Sequence, residues 1–311
     1  MQKGKKFTTK ENAAMGYAML YALMNLGGFL PGIISPPIRH NFGMLGVFWV
    51  YVALTVVGIL VVLIILTKKT VAEALARTGS EEANEDSDEA VEELPDGLAE
   101  RVRYYMKNIP LKDTRFLFFI FILIPVQTLF AHNWLTLPQY FSRAFTGVVS
   151  ENFEFFVNFN PILIFILTPI VTALTLKKDT YKMMIIGTFV MAAPTFFLAT
   201  GPTLFNVFAF LIIMTIGEAM WQPRFLAWIA EIAPKNMTGL YMGIGQFPWF
   251  VTKFITSLYS GWFLTQYAPM GVPADQLHTE TLWFIYGCIA LISPIALVLA
   301  KGWMGKRLSV K

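Results

Sequence analysis

The sequence predicts an all-α polytopic membrane protein. Apolar residues make up 56% of the 311-residue chain and charged residues only 14%, where a soluble domain carries roughly a quarter. The apolar residues are gathered in long blocks free of Asp, Glu, Lys and Arg, each near the ~20 residues that a helix needs to cross ~30 Å of hydrocarbon. No ten-residue alternation of the kind used by barrel strands is present, and backbone polar groups in hydrocarbon must bond within their own segment, so the blocks are helices.

Taken in order, the uncharged stretches are 12–38, 41–67, 116–142 and 155–176. A longer one, 183–217, is broken by Thr200-Gly201-Pro202-Thr203 into two helices, the second running past Glu218. The last two spans lie at roughly 238–265, which contains Lys253, and 280–300, which begins at Glu280, and they bring the expected spans to eight. Prolines at 31, 125, 161, 169, 194, 248 and 294 predict local kinks, tolerated where neighbouring helices re-satisfy the freed carbonyls. An even number of spans puts both termini on one side. With the N-terminus in the cytoplasm, all of the 24 Lys and Arg except Arg39, Arg143, Arg224 and Lys253 fall on cytoplasmic segments or their edges, as the positive-inside rule requires. The N-terminal Lys3, Lys5, Lys6 and Lys10 precede an apolar stretch too long for a signal peptide.

The interval 68–114 reads as one cytoplasmic loop. Between Glu81 and Glu100 it holds acidic residues and no basic ones, a self-repelling, solvated linker. Its flank, Arg101 to Lys112, is expected to form a short surface helix.

Two spans, a long cytoplasmic loop and six more spans form a pattern, and local motifs sharpen it. Tyr21-Ala22-Leu23-Met24-Asn25-Leu26-Gly27, Gln127, Phe159-Asn160-Pro161-Ile162-Leu163, Gly217-Glu218 with Pro223 and Leu226, and Ala233-Pro234 through Gly239 to Met242-Gly243 occur in order along the chain. Together they resemble the fifth, seventh, eighth, tenth and eleventh helices of the proton-dependent oligopeptide transporters, within the major facilitator superfamily, whose members pair two six-helix halves. The resemblance implies a partial major facilitator fold. Residues 1–67 would be the last two helices of the N-terminal half, 68–114 the linker, and 115–311 the six-helix C-terminal half. The first four helices have no counterpart, and they are expected on a separate chain, in a longer gene product, or not at all. The chain also departs from that family at Gln222, Gly245-Gln246 and Lys253, which points to a divergent relative with a different solute.

An ionisable side chain at mid-membrane costs several kcal/mol, so each one needs a partner or a wet cavity. Glu218 lies 15 residues from Thr203, and Lys253 lies 15 from Thr238, about 22 Å along each helix. Two readings stand. In one, Glu218 binds a substrate cation, as the resembled family's residue does, or cycles a proton, with Lys253 as its ion-pair partner or as an anion site. In the other, the two form a purely structural pair. Arg224, near Glu231, is a candidate cytoplasmic gate or an interfacial anchor. Asn25, Gln127 and Asn160 either line a cavity or hydrogen-bond between helices, and Trp221, Trp228 and Trp249 either stack on a solute or pack. His132 reads as a satisfied polar residue.

Enzymatic signatures are lacking: no His-Glu-x-x-His, no phosphate-binding Gly-Lys-Ser/Thr loop and no Cys/His cluster occur. Cys288, the single cysteine, forms no internal disulfide. The expected function is secondary transport of a small solute, coupled to protons, with the lipid bilayer as the remaining partner and neither cofactor nor nucleic acid implied. The alternative is a transport-incompetent fragment or a membrane-bound binding or scaffold protein.

Overall fold

A computed structural model describes residues 13–70, 72–73, 97–175, 177–233 and 237–304, and no strand occurs among them. The acidic stretch up to Asp96 lies outside the described residues apart from its flank. Helix α1, Ala13–Ile65, is interrupted at Gly43, whose φ of 67° is open to glycine at no steric cost. The chain turns back there. Ser35 Oγ and Tyr51 OH, each eight residues from Gly43, lie 2.5 Å apart, whereas a straight helix would separate residues 35 and 51 by about 24 Å. The arms 13–42 and 44–65 therefore form the hairpin that the first two apolar blocks predict. The second arm is exposed at every position from 52 to 65, an apolar surface suited to lipid.

Helix α2, Leu98–Asn108, and a 3-10 turn, Pro110–Lys112, supply the expected surface segment. The third span differs from the sequence reading. It comprises α3, Thr114–Phe121, capped by the Asp113 carboxylate on the amides of Arg115 and Phe116, and α4, Ile124–Leu135, with Pro125 in its first turn. It ends at Leu135, not 142, because residues 137–144 form a separate helix, α5 (Leu137–Ala144), that buries Leu137, Tyr140 and Phe141. Two short helices, α6 (Val148–Glu151) and α7 (Phe153–Val157), lead into α8, Phe159–Thr175.

Pro194 divides the fifth span into α9 (Thr180–Ala192) and α10 (Thr195–Leu198), because proline lacks the amide that would continue the ladder. Helices α11 (Leu204–Ile232), α12 (Thr238–Tyr267) and α13 (Thr279–Met304) are continuous through Pro223, Pro248 and Pro294. Among the described residues, six helical stretches are long and apolar enough to cross a membrane. The first of them is the hairpin, and α12, less apolar, is itself 30 residues long. Counting both arms and α12, eight segments reach crossing length.

Helix α4 packs on α12 and α13, α13 on α9, α9 on α11, and α11 on α8 and α12, while the first arm of α1 lies along α8 and α11. Small residues set the tightest approaches, as is common between membrane helices. A Cβ on Gly217 would lie 2.3 Å from the Met191 amide nitrogen and 2.6 Å from the Gly187 carbonyl oxygen. A Cβ on Gly32 would lie 2.7 Å from Asn158 Cβ. At that end of the hairpin, Arg39 Nε donates to Glu154 Oε1 at 2.6 Å and its Nη2 to the Glu151 carbonyl at 3.1 Å.

Candidate functional site

A cavity of about 480 Å³ opens where α1, α4, α8, α11 and α12 converge. Each long helix supplies a stripe at helical spacing. Tyr17, Tyr21 and Asn25 recur every four residues on the first arm of α1. Glu218, Gln222 and Leu226 do so on α11, and Gln246, Trp249 and Lys253 follow at three and four on α12. Residues three and four apart share a helix face, so each stripe turns one partly polar face to the cavity. Phe130, Asn133 and Trp134 of α4 and Asn160 of α8 also line the cavity.

Glu218 is the central residue of α11, 14 residues from either end, and only 1% exposed. Its neighbour Gly217 brings α11 onto α9, which fixes the rotation of α11 and aims the carboxylate away from α9. Each carboxylate oxygen meets a neutral donor. The Tyr21 hydroxyl donates to Oε1, and Asn160 Nδ2 donates to Oε2 at 2.9 Å while also reaching Thr215 Oγ1 at 2.9 Å. The carboxylate thereby ties the first arm of α1 and α8 to α11.

The expected Glu218–Lys253 ion pair is not formed. Both residues line the cavity, but the Lys253 ammonium lies over the Trp249 ring, 5.4 Å from its centroid, and takes no hydrogen bond or ion pair among the described residues. The physical reason is that Glu218 is already engaged by donors from two other helices.

Of the uncharged candidates, Asn160 and Asn25 line the cavity, and Asn25 Nδ2 also donates to the Tyr21 carbonyl at 2.9 Å. Gln127 does not line it. Its Oε1 accepts from Thr252 Oγ1 at 3.3 Å, a bond between α4 and α12. Arg224, the candidate gate or anchor, makes no ion pair with Glu231. Arg224 is buried and donates to the carbonyls of Thr175 and Lys178 at the end of α8, while Glu231 is exposed. The guanidinium thus ties α11 to the turn that follows α8, where the Thr175 carbonyl also accepts from Lys178 N at 2.9 Å.

Trp221 and Trp228 are core residues, the first donating to Met191 Sδ at 3.3 Å and the second packed edge-on against Phe119. Trp249 faces the cavity beside Phe130, with ring centroids 4.9 Å apart. His132 is stacked on Tyr286 at 3.6 Å and bonded to Thr136 and Tyr259, a satisfied interior histidine.

Sequence reasoning passed over Tyr21 as a site residue, along with Tyr17, Gln222 and Asn133. The four-residue recurrence of Tyr17, Tyr21 and Asn25 in an apolar block was the available signal. The amide oxygens of Asn133 and Gln222 are buried without a hydrogen-bond partner. No group of His, Cys, Asp or Glu among the described residues is arranged to hold a metal.

Comparison with known proteins gives one family. Residues 5–257 match the family model described as Major Facilitator Superfamily. No curated protein matches the chain.

Proposed function

Because the chain belongs to the major facilitator superfamily of membrane transporters, we propose that it moves a small polar solute by alternating access, as a proton symporter with Glu218 as the proton-carrying group. The observation that carries this reading is a carboxylate at the centre of a membrane helix, facing a cavity and held by hydroxyl and amide donors instead of a cation. A permanent ion pair would hold Glu218 ionised through a cycle. Neutral donors leave it free to gain and lose a proton, and they satisfy both oxygens while it is ionised.

The Tyr21–Glu218 bond joins the first arm of α1 to the C-terminal helices. In this reading residues 1–67 belong to one half of the transporter and 115–311 to the other, joined by the cytoplasmic linker 68–114, with both termini cytoplasmic. The chain is then a divergent relative of the proton-dependent oligopeptide transporters. A hydrogen bond to a charged group contributes about 1.5–3 kcal/mol and one between neutral groups about 0.5–1.5. Protonating Glu218 therefore weakens a bond that spans the two halves. The other titratable or charged groups lining the cavity are Tyr17, Tyr21 and Lys253. Helices α4 and α8 contribute none there, and α9 meets α11 through Gly187 and Met191.

The test is Glu218→Gln, which keeps the size of the side chain and one acceptor oxygen but cannot carry the proton. With solutes first ranked by thermal shift on the purified protein, the variant is expected to fold and exchange solute across proteoliposomes while losing accumulation driven by a pH gradient. Undiminished pH-driven accumulation removes Glu218 from the coupling.

A further inference from the structure

We infer that the solute is an aromatic monocarboxylate, its anionic group held by Lys253, and that it moves with one proton so that no net charge crosses the membrane. This rests on the reading of Glu218 as proton carrier and adds the solute's charge, shape and stoichiometry.

Two charged side chains line the cavity, one of each sign, and they are not equivalent. Glu218 has a donor on each oxygen. Lys253 stands mid-way along α12, exposed, with its ammonium over the Trp249 ring and no hydrogen bond or ion pair among the described residues. An ammonium at that depth needs an anion or water, and the cavity's own carboxylate is engaged elsewhere. The vacant electrostatic position is therefore an anion's. A solute cation, by contrast, would meet Lys253 in the same cavity and would have to displace Tyr21 or Asn160 from Glu218.

The sum of charges then explains coupling. With neither proton nor solute bound, Glu218 and Lys253 cancel. With both bound, protonated Glu218 is neutral and Lys253 cancels the carboxylate. With the proton alone the cavity carries +1, and with the anion alone −1. Moving an uncompensated charge through a low-dielectric slab is costly, so the two electroneutral forms rock between sides and the half-loaded forms do not. One acid and one base thus give one-to-one symport without a leak.

The rest of the cavity suits a flat body. Trp249 and Phe130 present ring surfaces to it.

The probes are indole-3-acetate, with tryptamine as its cationic counterpart and indole as the neutral one, applied to the full chain. Indole-3-acetate is expected to stabilise the purified protein against heat. Lys253→Met should weaken its binding tenfold or more and Lys253→Arg by only a few-fold, while tryptamine and indole bind at least tenfold more weakly than the acid. In proteoliposomes its uptake should follow a pH gradient and ignore a potassium diffusion potential. Preference for tryptamine, absence of binding by the acid, indifference of its binding to Lys253→Met, or uptake that follows the potential overturns the inference. The two readings fail separately. Acid binding through Lys253 without pH-driven uptake keeps the anion site and ends the symport reading, whereas pH-driven uptake of tryptamine does the reverse.

Discussion

Replacing Gly217 by alanine tests the contact that orients Glu218. The added Cβ would lie 2.3 Å from Met191 N, 2.6 Å from Gly187 O and 2.7 Å from Met191 Cα. All three are backbone atoms of α9, so no side-chain rotation relieves them. Ordinary contact begins at 3.4 Å, so α9 and α11 must part by about 3.4 − 2.3 = 1.1 Å. Overpacking against backbone, which cannot turn aside, falls at the upper end of the usual range, about 2–3 kcal/mol, and alanine's higher helix propensity returns about 1 kcal/mol, which leaves a net loss of about 1–2 kcal/mol. At roughly 2–4 °C per kcal/mol for domains of 150–250 residues, Gly217→Ala should melt about 2–8 °C below the parent protein in detergent. Two controls use the same chemical change. Gly261 has nothing within 4 Å of its Cβ position, so Gly261→Ala should melt level with the parent or slightly above. At Gly245 the clash is with Ile229 Cδ1, the mobile end of a side chain, so Gly245→Ala should fall between the two. Because Glu218 is the next residue, Gly217→Ala should also lose pH-driven uptake. A Gly217→Ala protein that melts with the parent, or above Gly245→Ala, refutes this account of how α11 is set.

Tyr21→Phe removes one hydroxyl and keeps the ring. It should preserve the fold while loosening the link between pH gradient and solute flux, read as a lower accumulation ratio at unchanged exchange, and an unchanged ratio would show that the Tyr21–Glu218 bond plays no part. The Arg39–Glu154 pair is partly shielded, with side chains 27% and 14% exposed. A double-mutant cycle with Arg39→Ala and Glu154→Ala should therefore give a coupling of roughly 1 kcal/mol in thermal unfolding, and simple additivity would assign the pair no energetic role. Arg224→Lys retains the charge but not the fork that reaches two carbonyls, so it should destabilise by about 1–2 kcal/mol. A melting point unchanged in that variant would show that those carbonyls are satisfied without the guanidinium.

Membership of the membrane class, the positions of the apolar blocks and the mid-helix places of Glu218 and Lys253 were all legible in the sequence. Each depends on one segment meeting one solvent: an apolar run must be about as long as the slab is thick, and a charge within it is conspicuous wherever the helix goes. The surface segment before Thr114 and the break near Thr200 were legible for the same local reasons. The end of the third span was misread, because residues 137–142 are uncharged and only their packing through Tyr140 and Phe141 separates them from the helix before.

Partners were not legible. Glu218 and Lys253 sit at matching depths on consecutive helices, which made an ion pair the natural expectation. Which way a side chain points from a helix, however, is set by rotation about the helix axis, and neighbours impose that rotation. The close approach at Gly217 and Gly187 turns Glu218 toward Tyr21 and Asn160, 197 and 58 residues away in sequence. Gln127 and Asn160 look alike as single amides in apolar blocks, yet one bonds to Thr252 in the interior and the other lines the cavity. Depth in the membrane is a one-dimensional property that a sequence carries directly, and azimuth exists only once the helices are packed.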